Sequence, residues 1–575
     1  MHITTTGDAF GVRADTYTLT VSRTAPRAEL DGWGTLSLLA CVNTTDRRDE
    51  TYETLPPVLV AEEEGRAVFE IAQRTAVWGA KTVRLVCEPD AVAVEVSVEG
   101  EAAIGDVTLL GGRAVLNTGP AGTFRSHIRA RSVFNPTPTQ PIQVVRPAGE
   151  PVTLGVIGDA DPGRLHAVFS PPPLVLAFGR EPAGTRPGRA TRVPGGPWLG
   201  VSVRAGVAGL TFTQFGYEPL DGGALLRLDY EGHTLTHGAW TSPAIVIHPA
   251  ASPWEAIGRH RADLVSHGLA PEGPAHPAHD WWRGVIFCGW GAQCARAGDG
   301  VTPMQLSRQD LYDEWLARLE EHGIAPGTIV VDDRWQAHYG RPEPDPERWP
   351  RMREWIAERH GRGQRVLLWW RAWAPHGLPA EECVTDPAGR PVAADPTNPV
   401  YRRRLAGTVT EMLTGLGADG LKIDFTQWFP SGSHLRAYGT NWGISLLHEM
   451  LATMYDAAKR AKPDALMITH TPHPAFADVT DMIRLNDVLE TDPRGRPVPA
   501  VDQLRFRHAV ATAAMPGHLV DTDQWPMRTK ADWLAYAQAQ PEYGVPALYY
   551  VEAIDSTGEE ITGEDLRLVA KWWGL

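Results

Sequence analysis

Hydrophobic and polar positions follow different periods in the two halves of the chain. Up to about residue 250, short stretches alternate apolar and polar residues with period two, as in YTLTVS at 17–22, AVAVEVS at 91–97 and LLRLDY at 225–230. Turns rich in Gly, Pro and Asp separate them. Period two turns one side of a strand to a core and the other to water. Many such strands, with no long amphipathic helix among them, predict a large antiparallel β-sandwich. The stretch 171–200 is dense in Pro, Gly and Arg and predicts a long loop. No internal repeat or low-complexity tract is present.

The first helical pattern starts at Pro253 (PWEAIGRHRADLVSHG), with proline where a first turn tolerates it, and runs into the Pro-rich connector APEGPAHPAH. This places a sandwich domain over 1–250, a linker helix and connector over 251–280, and a further domain over 281–575. In that last part strand-like and helical runs alternate. Strands are predicted at 284–287, 328–331, 365–369, 420–423, 465–469, 482–485, 518–520 and 547–551. Helices are predicted at 309–322, where Leu311, Trp315 and Leu319 share a face behind a Ser307 cap, at 442–462 and at 564–573. Eight such alternations over about 295 residues match a (β/α)8 TIM barrel. The competing doubly wound sheet calls for a Gly-rich phosphate turn after its first strand, and none follows here.

Composition narrows the function classes. A chain of 575 residues exceeds what one hydrophobic core supports. With 54 basic against 69 acidic residues the net charge is −15, and no Lys/Arg stripe stands out, so neither nucleic acid nor an anionic membrane is the expected partner. Cys41, Cys87, Cys288, Cys294 and Cys383 form no CxxC pair and no zinc-type cluster, which predicts no disulfides, no structural metal and a reducing compartment. The N-terminus lacks the apolar core of a leader, and no run of 18 apolar residues occurs; a cytoplasmic location is expected. The 21 tryptophans offer flat apolar faces of the kind that stack on sugar rings, although core packing accounts for most.

In a TIM barrel, chemistry gathers at the C-terminal ends of the strands. Here the second strand runs into Asp332, Asp333, Arg334 and Trp335; the third ends in Trp369, Trp370 and Arg371. The fourth ends in Lys422-Ile423-Asp424, the fifth at His470 and the sixth in Arg484-Leu485-Asn486-Asp487. The seventh carries Asp521 and Asp523, and the eighth reaches Glu552. Carboxylates ending five of eight strands are a concentration of like charge that folding does not need. The first strand, VIFCGWG, lacks the His-x-His of metal-dependent barrels, so neither a metal nor another cofactor is expected. Carboxylate chemistry on an uncharged, hydroxyl-rich ligand remains. Glycoside hydrolysis needs one carboxylate as nucleophile and another as acid/base.

These strand ends resemble the α-galactosidase (melibiase) clan of glycoside hydrolases, families 27 and 36, and more distantly family 31. IVVDDRWQ is similar to the clan's strand 2 element, LKIDF to its strand 4 K-x-D motif, MIRLND to its strand 6 element and MPGHLVDTDQW to its strand 7 element. DPTNP at 395–399 also recurs there. The β-rich half with its connecting helix resembles the supersandwich of family 36.

The resemblance implies a retaining exo-α-glycosidase, most simply an α-galactosidase, acting on an oligosaccharide or glycoside. It implies Asp424 as nucleophile and Asp487 as acid/base. It implies hydroxyl acceptors at Asp332 and Asp333, and further sugar contacts from Lys422, Arg484, His470, Asp521 and Asp523. Trp290, Trp335 and Trp370 are candidate stacking walls, with core packing as the alternative. For Lys422, which can keep Asp424 ionised, the alternative is a structural ion pair.

Several departures stand out. Arg484 and Asp487 are one residue closer than the clan's Arg-x-x-x-Asp, which keeps Asp492 as a second acid/base candidate. The fifth strand offers His470 and His473 in place of Cys or Ser-Gly, and the sequence ends at WWGL, without the clan's C-terminal sandwich. A raffinose-synthase-like transferase, an α-glycosidase of other specificity (α-N-acetylgalactosaminide, β-L-arabinopyranoside or α-glucoside) and a non-catalytic sugar-binding protein are the alternatives. Homo-oligomers are common among relatives of this build.

Overall fold

The computed structural model describes all residues except 115–121, 124–130, 135–141, 146–151, 155–167, 181–187, 190–194, 221–222 and 492–496. The chain opens with an antiparallel meander of five strands, His2–Thr5, Ala9–Arg13, Thr18–Ser22, Arg27–Leu30 and Gly34–Ser37, paired in chain order. Thr18–Ser22 alternates as its sequence dictates: Leu19 and Val21 are buried, Thr18 and Thr20 exposed.

A larger antiparallel sheet is built around two long strands, Val92–Leu109 and Gly223–Thr241. They pair from Ser97↔Thr241 to Leu109↔Leu226, with a register shift between Ile104 and Asp106 that bends the sheet. The two sheets share one apolar core, with the rings of Phe10 and Phe69 5.3 Å apart. Inside it Lys81 is sealed from water, donating to Asp49 (2.8 Å), Thr51 and the Ala40 carbonyl. Three acceptors for three ammonium hydrogens make that buried charge tolerable.

The expected loop at 171–200 is a misreading. Val175–Arg180 and Trp198–Arg204 are strands of the larger sheet, paired at Leu176↔Val201. The apolar run LVLAF at 174–178 outweighs the flanking prolines and glycines. Most of the stretch between these strands lies outside the described residues.

Helix α1 (Pro253–Ser266) follows, with Ser252 accepting from the Glu255 amide at its start. Its apolar side, Ala256, Ile257 and Leu264, is buried. Arg204 of the sheet clamps it by bonding Asp263 (Nε 2.8 Å) and Glu88 (2.7 Å).

Eight parallel strands complete the fold: β1 (Ile286–Cys288), β2 (Thr328–Val331), β3 (Arg365–Arg371), β4 (Gly420–Asp424), β5 (Leu466–Thr469), β6 (Met482–Arg484), β7 (Leu519–Asp521) and β8 (Ala547–Leu548). They bond in chain order, β8 pairs with β1 at Ala547↔Ile286, and a parallel bridge Asp521↔Val545 joins β7 to the approach of β8. The sheet is therefore a closed barrel, as the strand/helix alternation predicts. The predicted helices form at Gln309–Glu321, Gly443–Ala461 and Gly563–Trp573. Ser307, however, does not cap the first of these. Arg308 holds the cap position, and the Ser307 hydroxyl donates 3.0 Å to the Asp332 carbonyl, bracing the end of β2. Among the described residues no helix is long and apolar enough to cross a membrane.

The sandwich side touches the barrel mouth directly. Ser170 donates its amide to the His470 carbonyl (3.0 Å) and accepts from Thr426, while Asn486 donates to the Val168 carbonyl (2.7 Å). Further out, Glu231 accepts from the Gly432 amide (2.9 Å) and the Trp442 indole (3.1 Å).

Candidate active site

The mouth encloses a cavity of about 570 Å³. From the barrel, Trp290, Asp332, Asp333, Trp369, Lys422, Asp424 and Asp487 line it, and from the sandwich side Val168 does. Strand parity selects the lining. β3 and β4 pair in register, Trp369↔Lys422 and Arg371↔Asp424, so these four residues share the inward side, while Trp370 and Ile423 face outward.

Arg484, 1% exposed, is the hub. Its Nη2 donates to Asp424 Oδ1 (2.7 Å); its Nη1 donates to Asp523 Oδ2 (2.7 Å) and to Asp487 Oδ1 (3.2 Å). One planar fork thus ties together three carboxylates from β4, β6 and the end of β7. Asp424 Oδ1 also accepts from the Phe425 amide (2.8 Å), whereas among the described residues Oδ2 accepts only from the Trp369 indole (3.2 Å). Burial by itself pushes the Asp424 carboxyl up; the positive charges of Arg484 and Lys422 outweigh it and hold the group well below the usual carboxylate range.

Asp487 goes the other way. Its side chain borders the cavity, 48% exposed, yet it sits low in the mouth. Loss of bulk solvent raises it to about 7; Arg484 opposes this, and the negative charges of Asp523 and Asp424 add to it. The open side of the cavity limits that desolvation until a ligand fills it.

The second cation makes a separate cluster. Lys422 Nζ donates to Asp332 Oδ2 (2.7 Å), to the Tyr549 hydroxyl (3.2 Å) and to Cys288 Sγ (3.4 Å). Burial disfavours its charge, but Asp332 more than compensates and the ammonium is raised above its ordinary value. Lys422 therefore makes an ion pair with Asp332, the alternative the sequence left open, and also favours the charged form of Asp424 through its field. Asp333 accepts from the Tyr339 hydroxyl (2.8 Å) and is pushed up to about 7, chiefly by burial.

Other expected contacts lie elsewhere. Trp335 and Trp370 are buried away from the cavity; Trp335 is fully sealed and donates to the Trp369 carbonyl (2.8 Å). Of the three candidate walls only Trp290 is one, edge-on to Trp525 at 5.8 Å. His470 is wholly buried behind Arg484, bonded to Thr426 (2.6 Å) and Gln427 (3.2 Å), and burial lowers it to about 3, so it is a neutral support. Asp521 and Asp523 are likewise buried beneath the hub rather than facing the cavity. Glu552 is turned outward, in a pair with Arg296 (2.5 Å). His473 is buried away from the cavity, accepting from the Ala475 amide (3.2 Å), and Asp492 lies outside the described residues.

Sequence reasoning missed Trp369, Tyr549, Cys288, Trp525 and Val168. Parity carried a signal for Trp369, which stands two residues before Arg371 as Lys422 stands before Asp424. Val168 had none, because its place depends on how the sandwich meets the barrel.

No family model and no curated protein matches this sequence. Solved structures do match the fold, and all the following are glycoside hydrolases. An α-galactosidase from Lactobacillus brevis superposes with a TM-score of 0.55 at 11% identity, covering 100% of this chain and 84% of that one. A family 31 sulfoquinovosidase from E. rectale gives 0.57 at 13% identity, covering 100% and 82%. The α-galactosidase from Thermus thermophilus, in complex with stachyose, gives 0.52 at 17% identity, covering 87% and 98%. The fold is the sandwich-plus-barrel fold of the α-galactosidase structures.

Proposed function

We propose that this chain is a retaining exo-α-glycosidase of the α-galactosidase type, with Asp424 as nucleophile and Asp487 as acid/base. The observation that carries the proposal is the Arg484 fork, which bonds two carboxyls at one guanidinium while their surroundings shift one down and the other up. Two titratable groups driven apart in this way are what acid/base assignment in a glycosidase requires.

In the first displacement Asp424 Oδ2, the oxygen with a single weak bond, attacks the anomeric carbon. The bond to the leaving oxygen breaks, and that oxygen takes the proton of Asp487. In the second, Asp487 removes a proton from water as the water oxygen attacks the same carbon and Asp424 departs. Asp332 and Asp333 accept from ring hydroxyls, and Trp369 and Trp290 provide the flat walls. Solved neighbours hold stachyose and p-nitrophenyl α-D-galactopyranoside, which supports a galactoside as the first substrate to try. The proposed division of the chain keeps the sandwich at 1–250, the linker at 251–280 and the catalytic barrel at 281–575.

The test compares aryl α-galactoside, α-glucoside, α-N-acetylgalactosaminide and β-L-arabinopyranoside as substrates, with product anomers followed by NMR. Turnover of another glycoside but not the galactoside removes the specificity, and an inverted first product removes Asp424 as nucleophile. In Asp424→Gly, azide is expected to restore turnover and give a glycosyl azide.

A further inference from the structure

The site holds one more cation that the proposed hydrolysis does not use. Arg371 is the last residue of β3, in register with Asp424 and one inward position above Trp369. Parity therefore places it on the inward side of the strand, beside the residues that line the cavity rather than among them.

Aromatic faces hold its guanidinium: Trp428 at 4.6 Å, Tyr339 at 4.9 Å and Phe425 at 5.1 Å from the ring centroids. Each ring belongs to the site. Tyr339 donates its hydroxyl to Asp333, the Phe425 amide donates to Asp424, and Trp428, 40% exposed, packs on Phe425 at 4.5 Å. Among the described residues the Arg371 side chain makes no hydrogen bond and no ion pair.

That situation is unusual in this barrel. Lys422 and Arg484 each donate to at least one carboxylate, while Arg371 has five N–H donors and, among the described residues, no hydrogen-bonded acceptor. Three rings pack around the guanidinium, one of them Phe425 of the cavity lining, and no described acceptor is hydrogen-bonded to its N–H groups. An arginine immobilised in this way and left without a carboxylate is preorganised for a planar or tetrahedral oxyanion. The nearest acid does not take that place. Asp333 feels the charge of Arg371 but bonds the Tyr339 hydroxyl rather than the guanidinium.

We propose that Arg371 is a specificity-determining residue that binds an oxyanion substituent (carboxylate, sulfonate or sulfate) on the saccharide, so that the preferred substrate is an acidic glycoside. The inference rests on the glycosidase reading of the same cavity. The anion has two possible positions, on the terminal sugar beside Asp333 or on the aglycone beside Trp428. The chemistry at Arg371 is the same in both.

Calorimetry on the full chain separates these cases without relying on turnover. Three non-hydrolysable aryl α-thiogalactosides serve as probes: a neutral one, one with a 6-carboxylate on the sugar, and one with a carboxylate on the aryl group. One charged probe is expected to bind at least about 30-fold tighter than the neutral probe, and which one identifies the position. Arg371→Gln should bring that ratio to about one, and Arg371→Lys should retain part of it because it keeps the charge and loses the fork. The inference is overturned if neither charged probe is preferred, or if the preference survives in both variants. Failure of all three probes to bind counts instead against a saccharide site, and the inference falls with it.

Discussion

Arg484 donates to Asp424 across 2.7 Å from a position closed to water, so the charge that keeps the candidate nucleophile ionised is as deeply buried as any in the barrel. Its removal leaves Asp424 and Asp523 facing each other's field with only the more distant charge of Lys422. Arg484→Met is therefore expected to reduce kcat/KM on the order of 10²–10³-fold and to destabilise the fold by about 3–5 kcal/mol. Arg484→Lys should recover stability before activity, because one ammonium cannot serve three carboxylates in a plane. Urea unfolding beside steady-state kinetics measures both; equal recovery would contradict the fork as the active element.

Asp487, raised to about 7, has to carry a proton for the first step. Activity is then present below that value and lost as pH rises through it, with kcat/KM falling about tenfold per unit beyond. Asp424, held low, adds no loss on the acid side within the ordinary carboxylate range. Asp487→Asn should flatten the alkaline limb on a 2,4-dinitrophenyl glycoside, whose leaving group needs no proton. An alkaline limb unchanged in that variant would assign the acid elsewhere.

Lys422 and Asp332 form a buried pair of 3% and 4% side-chain exposure. Lys422→Met strands Asp332 and is expected to cost about 3–5 kcal/mol, whereas Lys422→Met with Asp332→Asn should recover much of that stability and none of the activity. Thermal unfolding of the two variants separates a positioning role from a purely electrostatic one.

The paired tryptophans of β3 make a controlled comparison. Trp369→Phe removes the indole bond to Asp424 Oδ2 and should lower kcat/KM about 10–100-fold with little change in stability. Trp370→Phe acts on outward packing and should move the melting temperature rather than the kinetics. The opposite pattern would reverse the parity assigned to the strand.

His260 is fully buried in α1, edge-on to His473 at 5.9 Å, and neither of its ring nitrogens has a hydrogen-bond partner. Burial first, then the His473, His248 and Arg204 charges, hold it well below its ordinary 6.5. A proton taken up by the unfolded chain but not by the folded one costs stability as pH falls, so this contribution is present above about 6.5 and lost toward acid. His260→Phe is expected to raise the melting temperature more at pH 5 than at pH 8. Equal shifts at both values would mean packing alone is responsible.

The sequence by itself determined the class of fold and the strand ends at which four acids meet. Period two before residue 250 and strand/helix alternation after 281 dictate a sandwich and a barrel, because each pattern can bury its apolar side in only one way. Asp332, Asp333, Asp424 and Asp487 stand at strand ends, where barrel closure brings distant segments together, and all four line the cavity.

Tertiary structure decided what contact and register decide. Whether Trp369 or Trp370 faces the cavity follows from the pairing of β3 with β4, a one-residue choice that composition cannot make. Lys422 turned to Asp332 rather than Asp424 because β2 lies within reach of its ammonium across the barrel, and a buried cation takes the acceptor it can reach. Val168 entered the mouth through the docking of the sandwich, an arrangement set by contacts more than 250 residues apart in the chain, such as Thr426 with Ser170.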